Sequence, residues 1–148
     1  RQPIPQASVQ LAATARVVVS STAPRALSSV LALGLQPQLV DAVFCEAQLP
    51  WANWKRPRLS PFTWAFILRL LWLCGRSGGV ETATTASKRA TLAARKLQSL
   101  AVAGPVLLLG HGVMNRMIAR QLVKEGWVRQ QRGGSQYWSV AVYRHESI

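Results

Sequence analysis

Residues 106 to 116, Val-Leu-Leu-Leu-Gly-His-Gly-Val-Met-Asn-Arg, place an imidazole where α/β proteins collect their chemistry. The four apolar residues suit a buried strand, Gly110-His111-Gly112 a turn, and the residues after it a helix, so His111 stands at a strand's carboxyl end. A helix that starts directly after the turn offers unpaired backbone N–H groups and the positive end of its dipole, and both favour an anion beside the imidazole. Phosphate suits that position. Two more polar residues come after strand candidates: Arg25 after Val17 to Ser21, and Glu46 after Leu39 to Phe44. An arginine to grip phosphoryl oxygens, a carboxylic acid to protonate a leaving oxygen and an imidazole to share the phosphoryl charge make a chemically coherent set.

The elements that must position this set alternate between strand and helix. Ser8 to Ala15 reads as the end of a first helix, and Val17 to Ser21 as the β-branched run of a buried parallel strand. Pro24 to Leu33 fits a helix with proline in its first turn, Thr22 or Ala23 as its cap and Gly34 as its stop. Leu39 to Phe44 is the second strand candidate, with Glu46 in the loop Cys45-Glu-Ala-Gln-Leu-Pro50. A long helix is expected from about Thr82 to Val102, with Ala86, Ala90, Ala93, Leu97, Leu100 and Ala101 on one face and Lys88, Arg89, Arg95 and Lys96 mostly off it. After Gly104-Pro105 come the strand Val106 to Leu109, the turn with His111 and a helix to about Glu125. Tyr137 to Tyr143 alternates like a final strand at the sheet edge. This order predicts an α/β fold, a three-layer α/β/α sandwich around a mostly parallel sheet whose strand ends gather Arg25, Glu46 and His111 on one rim.

One stretch departs from the pattern. Residues 51–79 hold four of the six tryptophans (Trp51, Trp54, Trp64 and Trp72) and are expected to form a Trp-rich insertion with one helix, about Pro61 to Leu73, in an otherwise single domain spanning 1–148. Within it, Trp51-Ala-Asn-Trp-Lys-Arg-Pro-Arg58 offers cations and aromatic faces suited to the non-phosphate part of a substrate.

Composition bounds the function class. At 148 residues and 49% hydrophobic the chain suits one domain that folds without staples. Cys45 and Cys74 have neither metal-ligand nor disulfide-framework spacing, which suits buried thiols in a reducing cytoplasm. No metal or cofactor is expected. Eighteen Lys and Arg against five Asp and Glu give a net charge of +13, which attracts polyanions, anionic membranes and phosphorylated substrates alike. The basic residues are scattered and interrupted by no nucleic-acid motif, so a dedicated nucleic-acid groove is the less favoured reading. The first fifteen residues lack an apolar core, and Leu59 to Cys74 contains Arg69 and is too short to span a bilayer, so a soluble, cytoplasmic protein is expected.

At the three polar positions the chain resembles the histidine phosphatase superfamily, the phosphoglycerate mutase-like proteins. Val17-Val-Val-Ser-Ser-Thr-Ala-Pro-Arg-Ala26 is similar to that family's strand, serine pair and Arg-Ala at a helix start; Cys45-Glu-Ala-Gln-Leu-Pro50 resembles its acidic loop; and Leu107 to Arg116 resembles its second catalytic histidine segment. Gly79-Val-Glu-Thr82 and the long helix after it also fit the order of elements. The resemblance implies a phosphomonoester substrate and a phosphohistidine intermediate, with Arg25 gripping phosphoryl oxygens, Glu46 as general acid and base, His111 stabilising the phosphoryl group and the N–H groups near Gly112 completing the anion pocket.

The family's nucleophilic histidine lies in an Arg-His-Gly motif after a first strand, and this sequence contains neither. The resemblance therefore implies a chain that starts roughly a strand and a loop late, does not form the phosphoenzyme as it stands, and exposes strand edges that make it sticky, marginal or oligomerising. The two readings of that departure are a piece of a longer phosphohydrolase and a non-catalytic relative that binds phosphorylated ligands. A second function class is a basic, aromatic-bearing module for nucleic acid or membrane surfaces, with Leu59 to Leu73, Arg69 and the nearby Lys55, Arg56, Arg58 and Arg76 as an amphipathic anchor. A sheet-based scaffold with no ligand is a third.

Overall fold

The computed structural model describes residues 3–48, 60–73, 81–134 and 136–147. The aromatic and basic loop 51–58, Cys74 and Arg76 lie outside the described residues. In chain order the elements are helix α1 (Gln6–Ala13), strand β1 (Val17–Ser20), α2 (Pro24–Ala32), β2 (Leu39–Val40), a short 3-10 turn (Ala42–Phe44), α3 (Pro61–Leu73), α4 (Ala83–Ala101), β3 (Val106–Leu109), α5 (Gly112–Lys124), β4 (Val128–Gln131) and β5 (Val142–Arg144). Residues 1–46 and 90–148 form one compact unit, and residues 47–89 form another.

The fold is α/β. Strands β2, β1 and β3 pair in that order, all parallel, with Val19 opposite Leu39 and Val17 to Ser20 opposite Val106 to Leu109. Three β-branched residues followed by serine suit the middle of such a sheet, and Val18, Val19 and Ser20 are all buried although they point alternately to its two faces. Helix α2 packs against β1 and β3 and buries Ala26 and Val30, one turn apart. Pro24 sits in its first turn, and Gly34, at φ +73°, turns the chain out of it. Helix α5 buries Met114, Ile118 and Leu122 at a spacing of four. Helix α4 adopts the expected face: Ala86, Ala90 and Ala93 are buried with Ala94, Leu97, Leu100 and Ala101 are half-buried, and Lys88, Arg95 and Lys96 are exposed.

Two strand expectations are corrected. The run from Leu39 keeps strand geometry only to Val40, because the Asp41 carboxylate accepts the Val43 N–H at 2.9 Å and caps a 3-10 turn instead. The chain after Tyr137 does not line the edge of the parallel sheet. Trp138 takes a positive φ of 63°, with its carbonyl accepting a hydrogen bond from Ser8 Oγ at 2.9 Å, and only Val142–Arg144 is extended. That strand pairs antiparallel with β4, in a two-stranded sheet of its own, and the alternation at 137–143 carries no sign of β4.

Burial sets the expected mutational response. Ile118 is 2% exposed and Leu92 is 56% exposed, so Ile118→Ala should lower stability by about 2–5 kcal/mol while Leu92→Ala stays within about 0.5 kcal/mol, measured by urea unfolding. The acid limb of stability depends on three carboxylates. A hydrogen bond from Lys96, with a second from the Val43 N–H, holds Asp41 below its ordinary range; Arg89 does so for Glu81, and the Gln98 and Gln121 amides for Glu125. Each binds fewer protons folded than unfolded, so its stabilisation is complete above the unfolded pKa of about 4 and is lost as pH falls through the lower folded value. The contribution of these three carboxylates should be constant above about pH 5 and fall below about pH 4. Lys96→Met should shallow that fall slightly, since the Lys96 side chain is 49% exposed and its pair is screened.

Candidate functional site

Because β1, β2 and β3 run parallel, their carboxyl ends share a rim, and the three segments leaving it are bonded to one another. The segment after β1 meets that after β3 through Ser21 Oγ, 2.8 Å from His111 Nε2. It meets the segment after β2 where Thr22 Oγ1 lies 3.2 Å from Cys45 Sγ. The segment after β2 meets α5 through Glu46, whose Oε1 accepts the Met114 N–H at 3.0 Å and whose Oε2 accepts the Val113 N–H at 3.4 Å. His111 and Glu46, far apart in sequence, therefore come together at the first turn of α5.

His111 is the cap residue of α5. Its backbone is extended and its carbonyl accepts the Asn115 N–H at 2.8 Å, but its side chain makes no cap bond. The ring instead faces Ser21, which is fully buried. Ser21 Oγ also accepts the Ala23 N–H at 3.3 Å, and Ser20 Oγ donates to the Ser21 carbonyl at 3.0 Å, so the turn after β1 is tied down. A hydroxyl has one proton and two lone pairs. With one lone pair taken by Ala23, the hydroxyl either gives its proton to Nε2 or accepts one from it on the second lone pair, and Nδ1 has no other partner among the described residues.

The anion position at the start of α5 differs from the expectation. The Glu46 carboxylate takes the Val113 and Met114 N–H groups, supplying the cap that His111 does not. Gly112 N–H stays unpaired among the described residues, and open space surrounds that glycine where a side chain would stand. Arg25 lies in the first turn of α2, beyond the end of β1, with an exposed side chain. Among the described residues no hydrogen bond or ion pair joins its guanidinium to His111 or Glu46. Arg25 thus shares the rim with the other two by position alone.

Ser21 is the site residue that reading the sequence for charge and imidazole misses. Its signal is the serine pair that ends an otherwise β-branched run. Asn115 stands in the first turn of α5, and its Oδ1 is buried without a partner among the described residues. That oxygen presses on Gly110, where a Cβ would come within 2.5 Å of it. His145 is remote: its ring lies 5.4 Å from that of Trp127, beyond the far end of α5, and thirteen residues of helix set it about 20 Å from His111. Among the described residues no group of three or more His, Cys, Asp and Glu could hold a metal. The loop Trp51 to Arg58, expected to face a substrate, lies outside them.

Among solved structures, the chain is similar to the product of the Mycobacterium tuberculosis open reading frame Rv3214, solved to 2.2 Å, with a TM-score of 0.59 and 16% identity over 93% of this chain and 76% of that one. At that identity the likeness shows the α/β fold. No family model and no curated protein matches the sequence.

Two substitutions test this geometry. Gly110→Ala should destabilise by about 1–3 kcal/mol through the clash with Asn115, and Asn115→Ala should restore most of it, a coupling readable by a double-mutant cycle in urea. Ser21→Ala should release Nε2 and shift the nitrogen-15 chemical shifts of the His111 ring toward mixed tautomers, whereas Ser21→Thr, keeping the hydroxyl, should preserve the wild-type pattern.

Proposed function

We propose that this rim binds the phosphoryl group of a phosphomonoester in the manner of the histidine phosphatase superfamily, within a three-layer, phosphoglycerate mutase-like α/β/α arrangement. The observation that supports it most is the meeting of the His111 ring and the Glu46 carboxylate at the start of α5. With Nε2 turned to Ser21, Nδ1 is the ring nitrogen left for a phosphoryl oxygen, and it donates when it carries the proton. Gly112 N–H adds a second donor from the same turn, and the Arg25 guanidinium, exposed one helix away, supplies the charge and the bidentate geometry that phosphate takes. Glu46, beside the same turn, is placed to exchange a proton with an ester oxygen. The net charge of +13 favours encounter with such a dianion.

A phosphohistidine mechanism uses two histidines at one site, and the second histidine of this sequence, His145, packs on Trp127 at the opposite end of α5. The residues of the rim therefore support phosphoryl binding and proton transfer. Hydrolysis through a phosphoenzyme takes a nucleophile in addition to them.

Phosphate and vanadate should raise the unfolding temperature in a concentration-dependent way. Arg25→Ala and His111→Ala, each removing a charge-assisted or oriented donor, should weaken phosphate by about 10–100-fold, while Glu46→Gln, which removes the negative charge held at the same helix start, should bind phosphate at least as tightly as the wild type. The titration is read by calorimetry or thermal shift. Equal phosphate affinity in wild type, Arg25→Ala and His111→Ala removes this reading, and a steep loss of DNA binding with salt, indifferent to phosphate, replaces it with a nucleic-acid module.

A further inference from the structure

Helix α3 presents an apolar stripe to solvent. Phe62, Phe66, Leu70 and Leu73, spaced four, four and three along the helix, are 87%, 63%, 46% and 61% exposed, and Ala65 beside them is exposed as well. Such spacing sets the four on one side of the helix. A contiguous exposed stripe holding two phenylalanines is unlike the single apolar residues scattered over an ordinary surface, and marks an interaction site. Arg69, also exposed, stands three residues after Phe66 and four before Leu73, so it borders the same stripe.

Charge decides the occupant. Between Glu46 and Glu81 the sequence has no acidic residue, against Lys55, Arg56, Arg58, Arg69 and Arg76. Two copies of this segment, each with those five basic residues and no acidic one, repel, which disfavours self-association. A surface with apolar chains beneath a dense layer of phosphates meets both needs: the phenyl and leucyl groups enter the acyl boundary while the Arg69 stem lies along it and the guanidinium reaches a phosphate. The described helix is shorter than a bilayer. Its thirteen residues measure about 20 Å against about 30 Å of hydrocarbon, and among the described residues no helix is long and apolar enough to cross.

We infer that α3 is an interfacial anchor which lies flat on anionic phospholipid, with Phe62, Phe66, Leu70 and Leu73 in the acyl boundary and Arg69 at the phosphates. The rim residues belong to other elements, and the inference stands whether or not they bind a phosphomonoester.

The test is flotation of the 148-residue chain with phosphatidylcholine vesicles that do or do not contain phosphatidylglycerol. Binding to the phosphatidylglycerol vesicles is expected, weaker at high salt. Phe62→Ser with Phe66→Ser should weaken it by about tenfold or more, and Arg69→Glu should shift the binding curve in the same direction. Leu92→Ser, an exposed apolar position on α4, should leave it unchanged. All of these side chains are exposed, so unaltered circular dichroism is expected and confirms that folding is intact. Absence of binding to the anionic vesicles overturns the inference, as does undiminished binding of the double serine variant. An α3-dependent dimer, seen by sedimentation velocity and indifferent to vesicles, overturns it in favour of a second copy.

Discussion

The placement of every site residue depends on β1 having its two edges paired and its two faces out of solvent. A strand in that position cannot slip by one residue without moving Val18 and Val19 to the opposite faces, so its register is fixed by packing on both sides. Its neighbours inherit that register: Leu39 and Val106 are set opposite it, and with them the point at which each chain leaves the sheet. The exits of β1, β2 and β3 are therefore level, which brings Ser21, Glu46 and His111 within reach of one another.

At the rim the loops support one another. The exits take partners from one another: imidazole with hydroxyl, thiol with hydroxyl, carboxylate with backbone amides. Bonds of this kind contribute about 1 kcal/mol each on a net basis. Their larger effect is positional, since an imidazole whose Nε2 is held by a buried serine has its remaining nitrogen aimed before any ligand arrives. At its other end α5 is held as well, where Glu125 accepts from Gln98 of α4 and Gln121, and Gln98 in turn accepts from Trp127 Nε1 at 3.2 Å. The helix that carries the site is thus fixed at both termini.

Most of the parallel frame is legible in local pattern. The Val-Val-Val-Ser and Val-Leu-Leu-Leu runs are strands, Pro24 and Gly34 bracket α2, and the alanine face of α4 is buried as its spacing indicates. The misreadings have local causes of a finer grain. Asp41 competes for a backbone amide that a longer strand needs, and a residue with positive φ breaks the run after Tyr137. Within the site, the flanking glycines point to His111 and the loop after β2 points to Glu46. Neither could indicate that Glu46 meets amides 67 and 68 residues further on, or that a buried serine holds the imidazole, because both contacts are made by tertiary structure. Arg25 stands where the pattern of α2 puts it, and its exposed side chain reflects a position that packing does not constrain.

The carboxylate at the head of α5 has a thermodynamic consequence of its own. Glu46 is a tethered carboxylate already seated on two amides at the start of the helix, and a tethered ligand acts at an effective concentration in the millimolar range. An external anion that uses those amides must displace an internal one, so occupancy there is an exchange. Its apparent affinity is scaled down by the fraction of molecules in which the seat is vacant. Selectivity rises by the same arithmetic: a monovalent anion gains little from replacing a monovalent side chain, whereas a dianion that also engages a guanidinium gains from the trade.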